Sequence, residues 1–290
     1  MKLYALLDVG GTEIKRRTVS EDGIPIDQIM RFPSKSKADS ATIINNLSEI
    51  IRNGNGMLPE CVAMAFPGPF DYENGISYMK GIGKYDSIYG KPLRCMLYKA
   101  LGREMPILFI NDVEAFALGS AAAYDEAGKG RCIAVAIGTG CGSAFMENGK
   151  CLKNGENAPE NGWIYNTAFR NGTIDDYISS RGQTRLAMKY FEKDISGREL
   201  HRMACEGCLE AKLLFTDFGK DLLDALQPFL GTFMPQTLVL GGMISRSFQF
   251  FGADITEYAG KHGIRIIIAE DTSALIHRGL FHLIQGGQDA

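Results

Sequence analysis

The same run of short elements occurs twice in this chain, roughly 130 residues apart. The first copy, LYALLDVGGTEIKRRTVSEDGIPIDQIMRF, reads as a strand from Leu3 to Asp8, a glycine turn at Gly10-Gly11-Thr12, a strand from Glu13 to Val19, an Asp22-Gly23 turn and a strand from Ile24 to Phe32. The second, RCIAVAIGTGCGSAFMENGKCLKNG, reads as a strand from Cys132 to Ile137, a glycine turn from Gly138 to Gly142, a strand from Ser143 to Glu147, an Asn148-Gly149 turn and a further strand. Asp-Gly and Asn-Gly are strong hairpin signals because both residues tolerate positive φ. A chain of 290 residues is long enough for two domains, each with its own core. Two halves on one plan are therefore expected.

Between and after the copies the pattern is mixed α/β. SATIINNLSEIIR (40–52) is an amphipathic helix, and CVAMAF (61–66) is a buried strand stopped by Pro67-Gly68-Pro69. ILFIND (107–112) is an apolar run ending in Asn111-Asp112, followed by the Ala-rich helix former VEAFALGSAAAY. Residues 175–191 and 198–229 read as largely helical, TLVLGGMIS (237–245) as a buried strand, RIIIAE (265–270) as a last strand and SALIHRGLFHLI as a last helix. The formal charge of −3 supplies no general attraction to nucleic acid or anionic membranes, and no apolar stretch reaches the length of a membrane span. The short LYALL before Asp8 is no signal-peptide core, and seven scattered cysteines suit free thiols in a reducing compartment, so a cytoplasmic location is expected.

Several residue types carry chemistry, each beside a plainer reading. Glycine and threonine at a strand-to-strand turn bare backbone N–H groups that suit phosphate oxygens. Such turns are also common as structure alone, and it is the matched pair that adds weight. Asp112 at a strand end is held rigidly enough to meet a bound hydroxyl, or it is a helix N-cap. Gly241-Gly242 lets a flat ligand approach the backbone, or makes a tight strand-to-helix turn. His201, Cys205 and Cys208 at helical spacing share one face as zinc ligands without a fourth, or are buried free groups. Arg16-Arg17 reaches phosphate, or is solvated charge. The P-loop, the dinucleotide glycine fingerprint, the protein-kinase signatures, GxSxG and HExxH are all missing from the sequence.

In order and spacing, DVGGTEIK (8–15), FPGPFD (66–71), FINDVEAFALG (109–119), AIGTGCGSAF (136–145), ENGW (160–163) and LVLGGMIS (238–245) resemble the ROK (repressor, open reading frame, kinase) family of sugar kinases. The resemblance runs from Asp8 to SALIHRGL. It implies the two-lobed actin-like/hexokinase ATPase fold, a ribonuclease H-like motif in each α/β lobe, with an interdomain cleft. The lobes would be 1–111 and 112–272, with a helix over 273–290 packing back on the first. It implies roles as well. Gly10, Gly11 and Thr12 would meet the β- and γ-phosphates of ATP. Asp8 would face the nucleotide's Mg²⁺ through water. Gly138, Thr139 and Gly140 would hold phosphate from the second lobe, and Gly241 and Gly242 would flank the adenosine. Asn111, Asp112 and Glu160 would bind sugar hydroxyls, with Asp112 as catalytic base, and Gly68 would let the backbone approach the ring.

The chain departs from most of the family at one segment. Glu160-Asn161-Gly162 is followed by Trp163 instead of His, and no cysteine lies between Cys151 and Cys205. The usual zinc-binding CxCGxxGCxE segment is gone, so no structural zinc is expected. In this the chain resembles the zinc-less branch of β-glucoside kinases, with Trp163 stacked on the sugar or simply packed. Glu13 near phosphate would repel it unless turned away, His277-Arg278 replaces a usual Gly-Ala, and the loop NGISYMKGIGKYDSIYG (74–90) lacks the familiar Asn-Leu-x-x-Trp-like element. The expectation is an ATP-dependent kinase acting on a hexose, at C6 of glucose or a derivative, as a homodimer. Its rival is a catalytically silent sugar sensor. A DNA-binding repressor is disfavoured, because Asp8 stands too near the start for a preceding DNA-binding segment and no basic recognition helix is visible.

Overall fold

The computed structural model describes residues 2–52, 58–155 and 157–286. The chain divides into two compact units. One runs to Gly119 and takes in the segment from Ser273 onward; the other is Ser120–Thr272. The division falls within a helix, eight residues after the expected border at Asn111, so Asp112 belongs to the first unit.

The first unit is built on a five-stranded sheet of β1 (Leu3–Val9), β2 (Glu13–Ser20), β3 (Met30–Pro33), β4 (Cys61–Phe66) and β5 (Ile107–Asn111), in the order β3-β2-β1-β4-β5. The first three form an antiparallel meander; β4 and β5 run parallel to β1. β4 is buried at every residue, as a central parallel strand must be. The third strand is shorter than expected. Ile24 and Ile26 are exposed and meet β2 only in an isolated bridge, Ser20 N donating to the Ile24 carbonyl and Ile26 N to that of Thr18, both at 2.9 Å; Asp27 then accepts from Thr18 N at 2.7 Å and Thr18 Oγ1 at 2.5 Å, and the continuous ladder with β2 resumes at Met30.

Helix α1 (Ser40–Arg52) sets Ile43, Ile44, Leu47, Ile50 and Ile51 on one stripe. With α2 (Leu93–Leu101) it shares a core with Leu7, Val9, Ile14, Met64 and Phe66. Each such side chain contributes about 1.5–3 kcal/mol on burial.

The second unit repeats the plan. Strands β6 (Arg131–Ile137), β7 (Cys141–Glu147), β8 (Lys150–Cys151), β9 (Thr237–Gly241) and β10 (Arg265–Ile268) lie in the order β8-β7-β6-β9-β10, again an antiparallel meander with two parallel strands added. Its core packs Ile133, Val135, Phe145, Leu238 and Leu240 against α4 (Ser180–Phe191), α5 (Gly197–Cys205), α6 (Leu209–Phe233) and α7 (Ala253–Lys261). The long helix expected over 198–229 is two helices, because Gly207 at φ +94 turns the chain between them.

Two further helices belong to the site region of the first unit. α3 (Asp112–Ala123) follows β5, and α8 (Thr272–Gly286) crosses it. The crossing is as close as backbone permits. A Cβ on Gly119 would stand 1.8 Å from the Leu275 carbonyl oxygen, and one on Gly279 would stand 1.9 Å from that of Ala115. Residues 287–290 of the expected last helix lie outside the described residues. All seven cysteines are free, and burial pushes the Cys61 thiol up to about 11 and those of Cys132 and Cys141 to about 12. No helix among the described residues is long and apolar enough to cross a membrane.

Candidate active site

Because β1, β4 and β5 are parallel neighbours, their carboxyl ends share one edge of the sheet. Register pairs Asp8 with Ala65 and Phe66 with Asn111, so Asp8, Gly68 and Asn111-Asp112 are delivered to that edge by topology. Open α/β sheets bind ligands at this edge, where loops diverge and helix N-termini gather.

Asn111 decides what Asp112 can do. Its Oδ1 accepts from Val113 N at 3.0 Å and Glu114 N at 3.4 Å, the bonds of an N-cap. Its Nδ2 donates to Tyr72 Oη at 3.1 Å, and Tyr72 Oη donates to the Phe66 carbonyl at 3.1 Å. The neutral amide thus caps α3, and the cap reading of Asp112 gives way. The Asp112 carboxylate accepts from Val113 N at 3.0 Å. Burial, and then the nearby Asp8 carboxylate, push its pKa up to about 6; the Lys84 ammonium partly opposes the rise. A carboxylate poised there is ionised at neutral pH yet basic enough to take a proton.

Asp8 is 8% exposed and accepts from Lys15 Nζ at 3.2 Å; Lys15 also donates to Ser273 Oγ at 2.7 Å. Beyond Asp8, the turn at Gly10, Gly11 and Thr12 is clamped from several sides. Gly10 N donates to the Glu13 carbonyl at 2.9 Å, and a Cβ on Gly10 would stand 2.9 Å from that oxygen. Ser34 Oγ donates to the Gly11 carbonyl at 2.7 Å, Ser36 Oγ donates to the same oxygen, and Tyr85 Oη donates to that of Gly10 at 2.9 Å. Glu13 turns outward to Arg31, 2.7 Å away, so its charge is paired. Arg16 is buried, not solvated: it pairs with Asp27 at 3.1 Å and bonds Thr18 Oγ1 at 2.8 Å.

In the second unit, β6 and β9 likewise end side by side, which brings Gly138, Thr139 and Gly140 together with Gly241 and Gly242. A Cβ on Gly242 would stand 2.2 Å from the Ile137 carbonyl oxygen, so the close approach of two strand ends already requires that glycine. Its N–H donates to Thr272 Oγ1 at 2.8 Å. Beneath the Gly138–Gly140 turn, Asp175 accepts from Cys141 N at 2.6 Å and pairs with Arg181.

Glu160 is exposed at the head of a short turn, and Trp163 is partly buried with its ring 6.1 Å from that of Tyr165. Ser143 on β7 fixes this loop, donating to the Gly162 carbonyl at 2.6 Å and accepting from Ile164 N at 3.0 Å. His201 and Cys205 do share a face, Nε2 to Sγ 3.5 Å, but Cys208 begins the next helix and bonds Glu210. Among the described residues no group of three His, Cys, Asp or Glu side chains is arranged to hold a metal ion.

Sequence reasoning passed over Lys15, Tyr72, Tyr85, Lys84 and Asp175. Lys15 was within reach, since counting back across the Gly10–Thr12 hairpin makes it the cross-strand partner of Asp8. Asp175 carries no local signal.

A family model described as ROK family matches residues 4–267. Over 270 residues the chain is 25% identical to an N-acetyl-D-glucosamine kinase of Haemophilus influenzae, spanning 84% of each protein. Over 276 residues it is 24% identical to a glucokinase of Thermotoga maritima, spanning 87% of this chain and 85% of that one. Among solved structures, a ROK family glucokinase from Streptomyces griseus in complex with glucose and AMPPNP superposes with a TM-score of 0.76 at 17% identity, over 97% of this chain and 98% of that one.

Proposed function

The chain belongs to the ROK family and has the actin-like, hexokinase-type ATPase fold; from that premise we propose that it is an ATP-dependent sugar kinase transferring the γ-phosphoryl group to a hexose hydroxyl, at C6 of glucose or a glucose derivative. The observation that carries the reading is the division of labour at the start of α3. Asn111 caps the helix, which leaves Asp112 poised as a base beside Asp8 and on the same sheet edge as the glycine turn.

A sugar hydroxyl is a weak nucleophile. In this reading Asp112 accepts a hydrogen bond from it, orients it, and takes its proton as the oxygen attacks the γ-phosphorus. The bond from that phosphorus to the β-phosphate oxygen breaks, and ADP leaves. Transfer of this kind depends mainly on alignment and charge neutralisation. The Gly10–Thr12 turn, and Gly138, Thr139 and Gly140 in the other unit, serve the phosphates; Gly241 and Gly242 flank the adenosine. Asn111, Gly68, Glu160 and Trp163 serve the sugar. The donor set around Asp8 fits a hard cation: two carboxylates crowd each other, opposed by Lys15 and Lys84. Asp8 would hold the nucleotide's Mg²⁺ through water, and that ion would supply neutralisation of the phosphate oxygens. The pairing of Glu13 with Arg31 removes one reason to prefer a silent sensor, since that carboxylate is already neutralised by a partner.

A coupled ADP-release assay against glucose, amino sugars, other hexoses and β-glucosides tests the reading. At least one sugar should stimulate release, and Asp112→Asn should lower turnover by at least about a hundredfold while sugar affinity stays close to normal. No stimulation by any sugar would sink the kinase reading, and near-full activity in the variant would remove Asp112 as base.

A further inference from the structure

Lys84 lies in the loop whose sequence departs from the family's usual pattern. Its stem is laid flat on the phosphate turn: a Cβ on Gly11 would stand 3.0 Å from Lys84 Cδ and 3.8 Å from Lys84 Cβ. The adjoining residue fixes this placement. Tyr85, fully buried, hydrogen-bonds the Gly10 carbonyl through its hydroxyl and donates its own N–H to the Ser36 carbonyl at 2.7 Å. Asp86 tightens the same loop by accepting from Ile82 N at 3.3 Å and Gly83 N at 3.1 Å. The lysine is thus held on a built strap.

Three neighbouring cations have acidic partners: Lys15 has Asp8, Arg31 has Glu13 and Arg16 has Asp27. Lys84 is in no ion pair among the described residues, although its charge acts on Asp112. Lys84 thus packs its stem on Gly11 and favours the ionised form of Asp112, the two groups to which the kinase reading gives phosphate and base.

We infer that Lys84 is a further catalytic residue, its ammonium contacting the γ-phosphoryl group as it passes from the nucleotide to the sugar oxygen; this rests on the kinase reading above. In the transition state charge spreads over the three equatorial oxygens, and a fixed cation there lowers the barrier without itself reacting. The sugar oxygen gains the phosphorus, the β-phosphate oxygen loses it, and the hydroxyl proton goes to Asp112. Lys84 stays protonated throughout.

The test compares Lys84→Met, which keeps a stem over Gly11, and Lys84→Arg with the parent protein. Calorimetric titrations with ADP and AMPPNP are paired with turnover on the sugar found active. For Lys84→Met, AMPPNP affinity should fall at least about tenfold with ADP affinity within about twofold, and kcat should fall about a hundredfold at little-changed sugar KM. Lys84→Arg should recover much of both. Equal loss of ADP and AMPPNP, no loss of either, or a change confined to sugar KM would each overturn the assignment. The failures are separable. If Lys84→Met keeps its turnover while Asp112→Asn is dead, only Lys84 is misassigned; if the parent binds neither nucleotide, the kinase reading falls with it.

Discussion

Asp112 occupies the first position of a helix, where N–H dipoles ordinarily hold a carboxyl low. Burial and the Asp8 charge outweigh them and set it near about 6. The consequence has a definite sign. If Asp112 is the proposed base it works ionised, so kcat/KM for the sugar should be flat above neutrality and fall about tenfold per unit as pH drops below about 6. A pH profile with saturating nucleotide checks this, and a limb near the ordinary carboxylate range would show that the site is wetter than its geometry implies. At this scale the place of Asp112, where an apolar strand gives way to a helix, was legible from the apolar run that precedes it. Which of the two residues caps the helix was not, since Asn and Asp are nearly equal as caps and only the bonds to Val113 and Glu114 distinguish them.

Elements with strong local signals came out as read. Hairpin dipeptides and fully apolar strands fixed β1, β2, β4, β6, β7 and β9 to within a few residues. Where tertiary bonds compete, the reading failed: Asp27 takes the Thr18 N–H and shortens β3, and Gly207 interrupts an otherwise helical pattern. The crossing of α3 and α8 had no sequence signal, because a glycine in a helix reads only as a mild helix breaker. Its energetic weight can be measured. Gly279→Ala forces a methyl into the Ala115 carbonyl, and overpacking of this kind costs roughly 1–3 kcal/mol or more, visible as a lower urea midpoint. Gly231→Ala, on α6 where a Cβ would meet nothing within 4 Å, should instead stabilise by about 0.5–1 kcal/mol. Equal effects of the two substitutions would mean that α8 yields at the crossing.

Across the whole molecule the duplicated plan was the deepest signal, since both sheets repeat one strand order and each delivers a glycine turn to the carboxyl end of its parallel strands. The same duplication bears on metal. Most of the family braces the segment after E-x-G with zinc, as the resemblance implies, whereas here Ser143 holds that loop by bonds to Gly162 and Ile164. Each unit also has its own apolar core, so neither half lacks the burial that small metal-dependent domains need from an ion. Purified protein is therefore expected to carry zinc well below one ion per chain, and prolonged EDTA treatment should leave its Tm unchanged. Ser143→Ala, by contrast, leaves the Ile164 N–H and the Gly162 carbonyl without that partner and should lower Tm by several degrees, at about 1–3 kcal/mol for groups left unsatisfied. Stoichiometric zinc whose removal lowers Tm would assign the bracing to metal and make Ser143 incidental.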